Sequence, residues 1–192
     1  AGTDWAARLE STRNCFAGIA AAISRRQTLL LLVSDAAVEA DARTALVQSN
    51  ADLERIRFIT LPYNDTWLRD SGPISLRKAD GFELLDFHFT AWGGKFEAGL
   101  DDRIVSEMDA QGLFRNTEHR RIDFALEGGG IETDGAGTLL STWHCLNERH
   151  PDKSRADIEA VLKEHLRQHR VLWLEHGYLE GDDTDAHIDT LA

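Results

Sequence analysis

Trp5, Leu9, Phe16, Ile19, Ala20 and Ile23 recur at helical spacing and predict an amphipathic helix over about residues 5–25, with Arg8, Glu10, Arg13 and Arg25 on its polar face. The run Thr28–Val33, apolar from Leu29 on, has strand length. Ser34 or Asp35 then caps an alanine-rich helix reaching about Gln48, and Ile56–Thr60 reads as a second short buried strand. Strand, helix and strand in succession mark an α/β layer. Further on, residues 74–77 and 82–89 predict two strands joined by the turn Lys78-Ala79-Asp80-Gly81, and 102–110 a short helix. Residues 123–126 and 138–142 predict strands separated by a glycine-rich segment with a turn at Asp134-Gly135. Ser154, with Asp157 three residues on, caps a helix over about 155–169, and 171–174 is the last strand. No linker, low-complexity tract or charge run divides the chain, and two-strand-plus-helix content recurs without a fixed sequence period.

Composition narrows the class. A length of 192 residues predicts one domain, or a domain and part of another, and 42% hydrophobic with 28% charged residues is enough to bury a core. The two cysteines, Cys15 and Cys145, are too few for a disulfide framework and suit a reducing, cytoplasmic setting. The formal charge, 21 − 33 = −12, comes without any Lys/Arg-rich stretch, which argues against nucleic acid and for a cationic ligand. No apolar run approaches the roughly 20 residues that a membrane span requires. The first residues carry no signal-peptide pattern. The chain does not open on Met and closes in mid-pattern, so both ends are expected to be cuts.

Three loop segments dense in carboxylate and glycine each follow a short apolar strand, where an α/β fold places its site. They are Asn64 to Pro73, Leu126 to Ile131 and Gly181 to Asp189. In the third, Asp183, Asp185, His187 and Asp189 alternate, so an extended backbone would put them on one face, an arrangement that calls for a compensating cation or proton. A solvated turn is the plain alternative. A metal on Asp183, Asp185 and His187 is a rival, but the glycine and glutamate of a Ca²⁺ loop and a His-Glu-x-x-His run are both missing. Glu127-Gly128-Gly129-Gly130 lacks the Gly-Lys-Ser/Thr of a phosphate cradle and is headed by an acid, so it fits close backbone approach to a ligand better. Trp67-Leu68-Arg69-Asp70 has a plain account too: a core aromatic beside an exposed Arg69–Asp70 pair.

Taken in order, Trp67-Leu68-Arg69-Asp70-Ser71-Gly72-Pro73, Ala91-Trp92-Gly93-Gly94-Lys95, Leu126-Glu127-Gly128-Gly129 and Gly181 to Asp189 closely resemble the motifs of the agmatine deiminase and bacterial (Porphyromonas-type) peptidylarginine deiminase family, within the guanidino-group-modifying superfamily. The resemblance covers essentially the whole chain. It implies a pseudo-five-fold α/β propeller, of which this chain supplies about three of five units. It also implies hydrolysis of a guanidinium to a ureido group and ammonia through a covalent cysteine thiouronium, with no metal or other cofactor. By the same resemblance Asp70 and Asp189 clamp the guanidinium, His187 protonates departing ammonia and then activates water, and Glu127 orients that histidine or binds substrate. Asp183 matches a further family acid, and Asp65 and Trp67 are candidates for the substrate tail, with a loop cap and a packed aromatic as their plain alternatives.

The family nucleophile lies near the C-terminus in a glycine-rich segment beyond residue 192. Residues 1–192 are therefore expected to be one incomplete catalytic domain that does not turn guanidines over. Cys15, on the apolar face of the first helix, is expected to be a core thiol, and Cys145 a small buried residue, although a Cys145–His144 pair is its sharper alternative. Glu132 stands where many agmatine deiminases have histidine, which bears on the substrate. The expected enzyme converts agmatine to N-carbamoylputrescine, with peptidylarginine deiminase and a non-catalytic guanidine-binding protein as alternatives. The expected partner is a small cationic guanidine, with no nucleic acid and no membrane, and self-association is left open.

Overall fold

The computed structural model describes residues 6–114, 117–184 and 186–191. The chain divides into two compact units, Ala1–Thr66 and Trp67–Ala192.

In the first unit, α1 (Leu9–Ser24) precedes a parallel β1–α2–β2 crossover of Leu29–Val33, Ala36–Gln48 and Ile56–Thr60, in the register Leu29↔Ile56 to Val33↔Thr60. Asp35 caps α2 by accepting from the N–H groups of Ala37 and Val38 at 2.8 and 3.0 Å. The expected apolar face of α1 is not the one that packs. Ala17, Ala20, Ala21 and Ser24 are buried, whereas Leu9, Phe16 and Ile19 are 39, 58 and 49% exposed; Trp5 lies outside the described residues. The buried stripe keeps helical spacing but sits one residue further along, because small side chains let a helix approach its neighbours closely. Ala20, Leu46 and Ile56 form this unit's core, with Leu29, Leu31 and Phe58 against it. Cys15 falls on the exposed side, not in the core as expected.

The second unit contains two three-stranded sheets of the same topology. After a short α3 (Leu68–Ser71), β3 (Ile74–Lys78) and β4 (Gly81–His88) form an antiparallel hairpin. Beyond the four-residue turn α4 (Ala91–Gly94) and the helix α5 (Ile104–Ala110), β5 (Glu118–Ala125) returns parallel to β4. The pattern repeats as the hairpin β6 (Ile131–Thr133) and β7 (Thr138–Thr142), the helices α6 (Trp143–Arg149) and α7 (Arg155–Leu166), and β8 (Arg170–Leu174) parallel to β7. Each repeat thus holds three strands, not two. One core joins both sheets through Leu85, Phe87, Phe124, Leu139, Ile158 and Leu162. The fold is mixed α/β, as expected.

Several bounds differ for identifiable reasons. β5 starts five residues early, at Glu118, because its polar half is neutralised from neighbouring segments: Arg120 pairs with buried Glu83 at 2.9 Å, and Arg121 and His119 reach buried Asp86 at 2.8 and 3.1 Å. The helix α7 carries the expected capping box at Ser154 and Asp157 but stops at Leu166, where Arg167 turns left-handed with φ 55°. The helix α6 has no counterpart among the elements predicted from sequence. Among the described residues no helix is long and apolar enough to cross a membrane.

Candidate active site

The site is built entirely within the second unit, at the ends of its strands. Asp70, in the single turn of α3, is buried, and its two oxygens accept hydrogen bonds from different segments: Oδ1 from the Gly129 N–H at 2.9 Å and Oδ2 from the Trp92 indole at 3.1 Å. Trp92 is delivered by α4, in which Ala91, Trp92, Gly93 and Gly94 all have positive φ, from 49 to 82°. Left-handed backbone at Ala91 and Trp92 costs roughly 1–2 kcal/mol per residue, a strain that surrounding contacts must hold.

Glu127 follows β5 and is fully buried. Of the three glycines after it, Gly128 and Gly129 are crowded by backbone and side chains, while Gly130 has ordinary contacts. A Cβ on Gly128 would lie 2.2 Å from the Arg69 carbonyl oxygen, and one on Gly130 would lie 3.5 Å from Cys145 Sγ. One on Gly129 would meet three groups at once: Asp70 Oδ1 at 2.6, His187 Nδ1 at 2.6 and Asp189 Oδ2 at 2.8 Å. Two carboxylate oxygens and an imidazole nitrogen therefore converge on a single point beside the Gly129 backbone. The close backbone approach expected of these glycines is toward the protein's own side chains.

The segment leading to His187 is not extended. Asp182 folds it back by accepting from the Thr184 hydroxyl at 2.6 Å and the Ala186 N–H at 3.1 Å, and Ala186 has φ 69°. The Thr142 hydroxyl donates to the Ala186 carbonyl at 2.6 Å, anchoring the turn to the start of α6. Asp183, His187 and Asp189 consequently do not share one face. His187 is buried, Asp183 is exposed with its carbonyl accepting from Lys95 Nζ at 2.6 Å, and Asp185 lies outside the described residues. Asp189 keeps 30% of its side chain accessible, 3.7 Å from the Arg69 guanidinium, which also pairs with Glu132. Arg69 and Asp70 are therefore not the exposed pair of the plain account. Trp67 is half exposed, not core. Asp65, in the first unit, accepts from the N–H of Thr66 at 2.6 Å, as a loop cap does.

The imidazole of His187 stands between two buried carboxylates, with Nδ1 3.7 Å from Asp70 and Nε2 3.6 Å from Glu127. The acids are driven apart. Burial pushes the Asp70 carboxyl above its ordinary value, and His187, the Gly129 N–H and the Trp92 indole oppose this without cancelling it. Burial acts on Glu127 in the same sense, but His187 and Arg149 outweigh it and hold that carboxyl below the ordinary value. Arg149, the last residue of α6, is fully buried against Glu127, its Nε–H donating to Oε1 at 2.9 Å. No pattern singled out Arg149 in the sequence, because its partners are 22 and 35 residues away.

Cys145 is buried, and its donor atom lies within 4.8 Å of those of Glu127 and His187, a carboxylate, thiol and imidazole set that a metal ion could use. A cation there would compete with Arg149 for Glu127. This set shares only His187 with the Asp183, Asp185 and His187 set expected from sequence.

The model of the Porphyromonas-type peptidyl-arginine deiminase family matches residues 1–192. An agmatine deiminase of Pseudomonas fluorescens is 40% identical over 183 residues, covering 90% of this chain and 47% of that protein. One of Ectopseudomonas mendocina is 38% identical, with 96 and 52% covered. Among solved structures, a C. jejuni agmatine deiminase with substrate bound superposes with a TM-score of 0.83 at 33% identity, covering 98% of this chain and 54% of that one. The agmatine deiminase of Enterococcus faecalis gives 0.78 at 30% identity, with 93 and 48% covered. The chain spans about half the length of these relatives.

Proposed function

The chain belongs to the Porphyromonas-type peptidyl-arginine deiminase family, and from that premise we propose that it forms part of an agmatine deiminase, a hydrolase converting agmatine and water to N-carbamoylputrescine and ammonia. The observation that carries the reading is the convergence of Asp70 Oδ1, Asp189 Oδ2 and His187 Nδ1 beside Gly129. A planar guanidinium presents paired N–H donors along its edges, and two carboxylates with one proton-transfer nitrogen match that head group. The raised Asp70 carboxyl is an acid short of a cation, which a bound guanidinium supplies. The agmatine deiminases among the relatives favour agmatine over an arginine side chain.

In the proposed reaction a cysteine thiolate attacks the guanidinium carbon. His187 gives a proton to the departing nitrogen, the C–N bond breaks, and ammonia leaves a thiouronium bound to the cysteine. His187 then takes a proton from water as it adds to the same carbon, and the C–S bond breaks to release the ureido product and the thiolate. Cys145 is an unsuitable nucleophile. A Cβ on Gly130 would lie 3.5 Å from its Sγ and 3.9 Å from His187 Nε2, on the opposite side of the imidazole from Asp70. We therefore assign the nucleophile to a cysteine outside residues 1–192, and propose that these residues form part of a larger α/β propeller. Asp183 and Trp67 remain proposed contacts for the substrate, Trp67 by virtue of its exposure.

The test is ammonia release by the full-length protein from agmatine, free arginine and an arginine peptide, after exhaustive chelation. Agmatine is expected to be the preferred substrate, with N-carbamoylputrescine identified by mass and activity unaffected by the chelator. Turnover confined to peptidyl arginine would move the assignment within the family, and loss of activity on chelation would overturn the mechanism.

A further inference from the structure

We propose that Arg149 is a positioning residue of this reaction, whose buried guanidinium fixes Glu127 against Nε2 of His187 and so assigns Glu127 to the histidine and not to the substrate. The inference rests on the function proposed above. The Arg149 side chain is 0% exposed. It donates from Nε to Glu127 Oε1 at 2.9 Å and from an Nη to the Thr184 carbonyl at 3.0 Å. A Cβ on Gly93 would lie 3.4 Å from its other Nη. One guanidinium thus ties the end of β5 to the loop that carries His187, and lies beside the turn that delivers Trp92 to Asp70.

Packing does not call for a charge here. Burying a guanidinium is costly unless its charge and its donors are matched, and the other buried residues of α6, Cys145 and Leu146, are small or apolar. The match fixes the orientation of Glu127. With Oε1 held by Arg149, Oε2 points at His187 Nε2, 3.6 Å away, and neither of these two buried atoms has a hydrogen-bond partner among the described residues. Glu127 is thereby already neutralised by an internal guanidinium, while Asp70 and Asp189 converge beside Gly129. Arg149 permanently satisfies Glu127, and the substrate guanidinium is left to Asp70 and Asp189.

The experiment uses the full-length protein with Arg149→Met, Arg149→Lys, Glu127→Gln and the Glu127→Gln/Arg149→Met pair. Arg149→Met is expected to lower kcat on agmatine about 10²-fold, the scale of lost acid–base assistance, with KM near that of the unaltered protein. Arg149→Lys should regain part of that loss. Added to Glu127→Gln, Arg149→Met should lower kcat no further, because the two act as a unit. The ¹⁵N imidazole signals of His187, assigned with His187→Asn, should move in Arg149→Met to their Glu127→Gln positions. Should Arg149→Met fail to fold, Arg149→Lys and the pair, which leaves no uncompensated charge, carry the same comparisons. Additive losses, a raised KM at unchanged kcat, or His187 signals that do not move would overturn the proposal. An unaltered protein inactive on agmatine would sink the functional reading instead, and the imidazole signals would still decide the role of Arg149.

Discussion

Trp92 donates its indole N–H to Asp70 Oδ2 at 3.1 Å from a left-handed turn that neither Ala91 nor Trp92 would adopt unaided. The ring is held edge-on between Phe89 and Phe96, with centroids 5.5 and 5.9 Å away. Backbone strain is thus set against aromatic packing and one hydrogen bond to a buried carboxylate. Trp92→Phe keeps the apolar contacts and removes the donor, so it should destabilise the protein by about 1 kcal/mol. It should also push the Asp70 carboxyl higher still. Urea unfolding of both proteins, with a pH titration of the Asp70 carboxyl by NMR, checks the two effects.

The raised Asp70 carboxyl has a consequence for stability whose sign is determined. Its dominant cause is burial. The folded state holds this proton more tightly than the unfolded state, so the Asp70 contribution to stability falls as pH rises from the unfolded value near 3.8 through the higher folded value. Unfolding free energies of the unaltered protein and Asp70→Asn should therefore draw apart with pH in that window, with the unaltered protein losing ground. Parallel curves would show Asp70 to be unshifted. If the proposed function holds, the same variant of the full-length protein should cost roughly 3–5 kcal/mol in kcat/KM by leaving a buried cation unpaired.

Gly129 has no room for a methyl group, since the new Cβ would lie within 2.8 Å of Asp70, His187 and Asp189. Gly129→Ala should both destabilise the second unit and abolish guanidine turnover in the full-length protein. Gly18 provides the contrast: it lies in α1, and beyond its own helix backbone no atom of the described residues comes within 4 Å of where a Cβ would sit. Gly18→Ala should stabilise the chain by about 0.5–1 kcal/mol, the ordinary helix preference for alanine. Thermal unfolding of the two variants separates a crowded glycine from an incidental one.

The two thiols differ in burial, Cys15 being exposed and Cys145 buried. A thiol reagent such as DTNB should modify Cys15 at once in the native chain and reach Cys145 on unfolding. Rapid modification of Cys145 in the native state would contradict its place behind His187.

Much of the fold was legible because it depends on local pattern. The runs Ile56–Thr60 and Thr138–Thr142 became strands with those bounds, Thr28–Val33 became one that starts a residue later, at Leu29, and Asp35 and Ser154 became the caps their positions suggested. Asp70, Glu127, His187 and Asp189 could be singled out because their motifs follow one another in a recognisable order. Other properties depend on residues far apart in the chain. Periodicity showed α1 to be amphipathic but could not say that its small residues, not Phe16 and Ile19, would be buried. The polar first half of β5 became a strand because Glu83 and Asp86 neutralise its cations. Tertiary structure alone distinguished Asp70 from Glu127, two buried acids flanking one imidazole. Arg149 reaches Glu127 across 22 residues and satisfies its charge. Asp70 meets neutral donors and keeps its demand for a cation, because a carboxylate's charge state is set by what surrounds it in space.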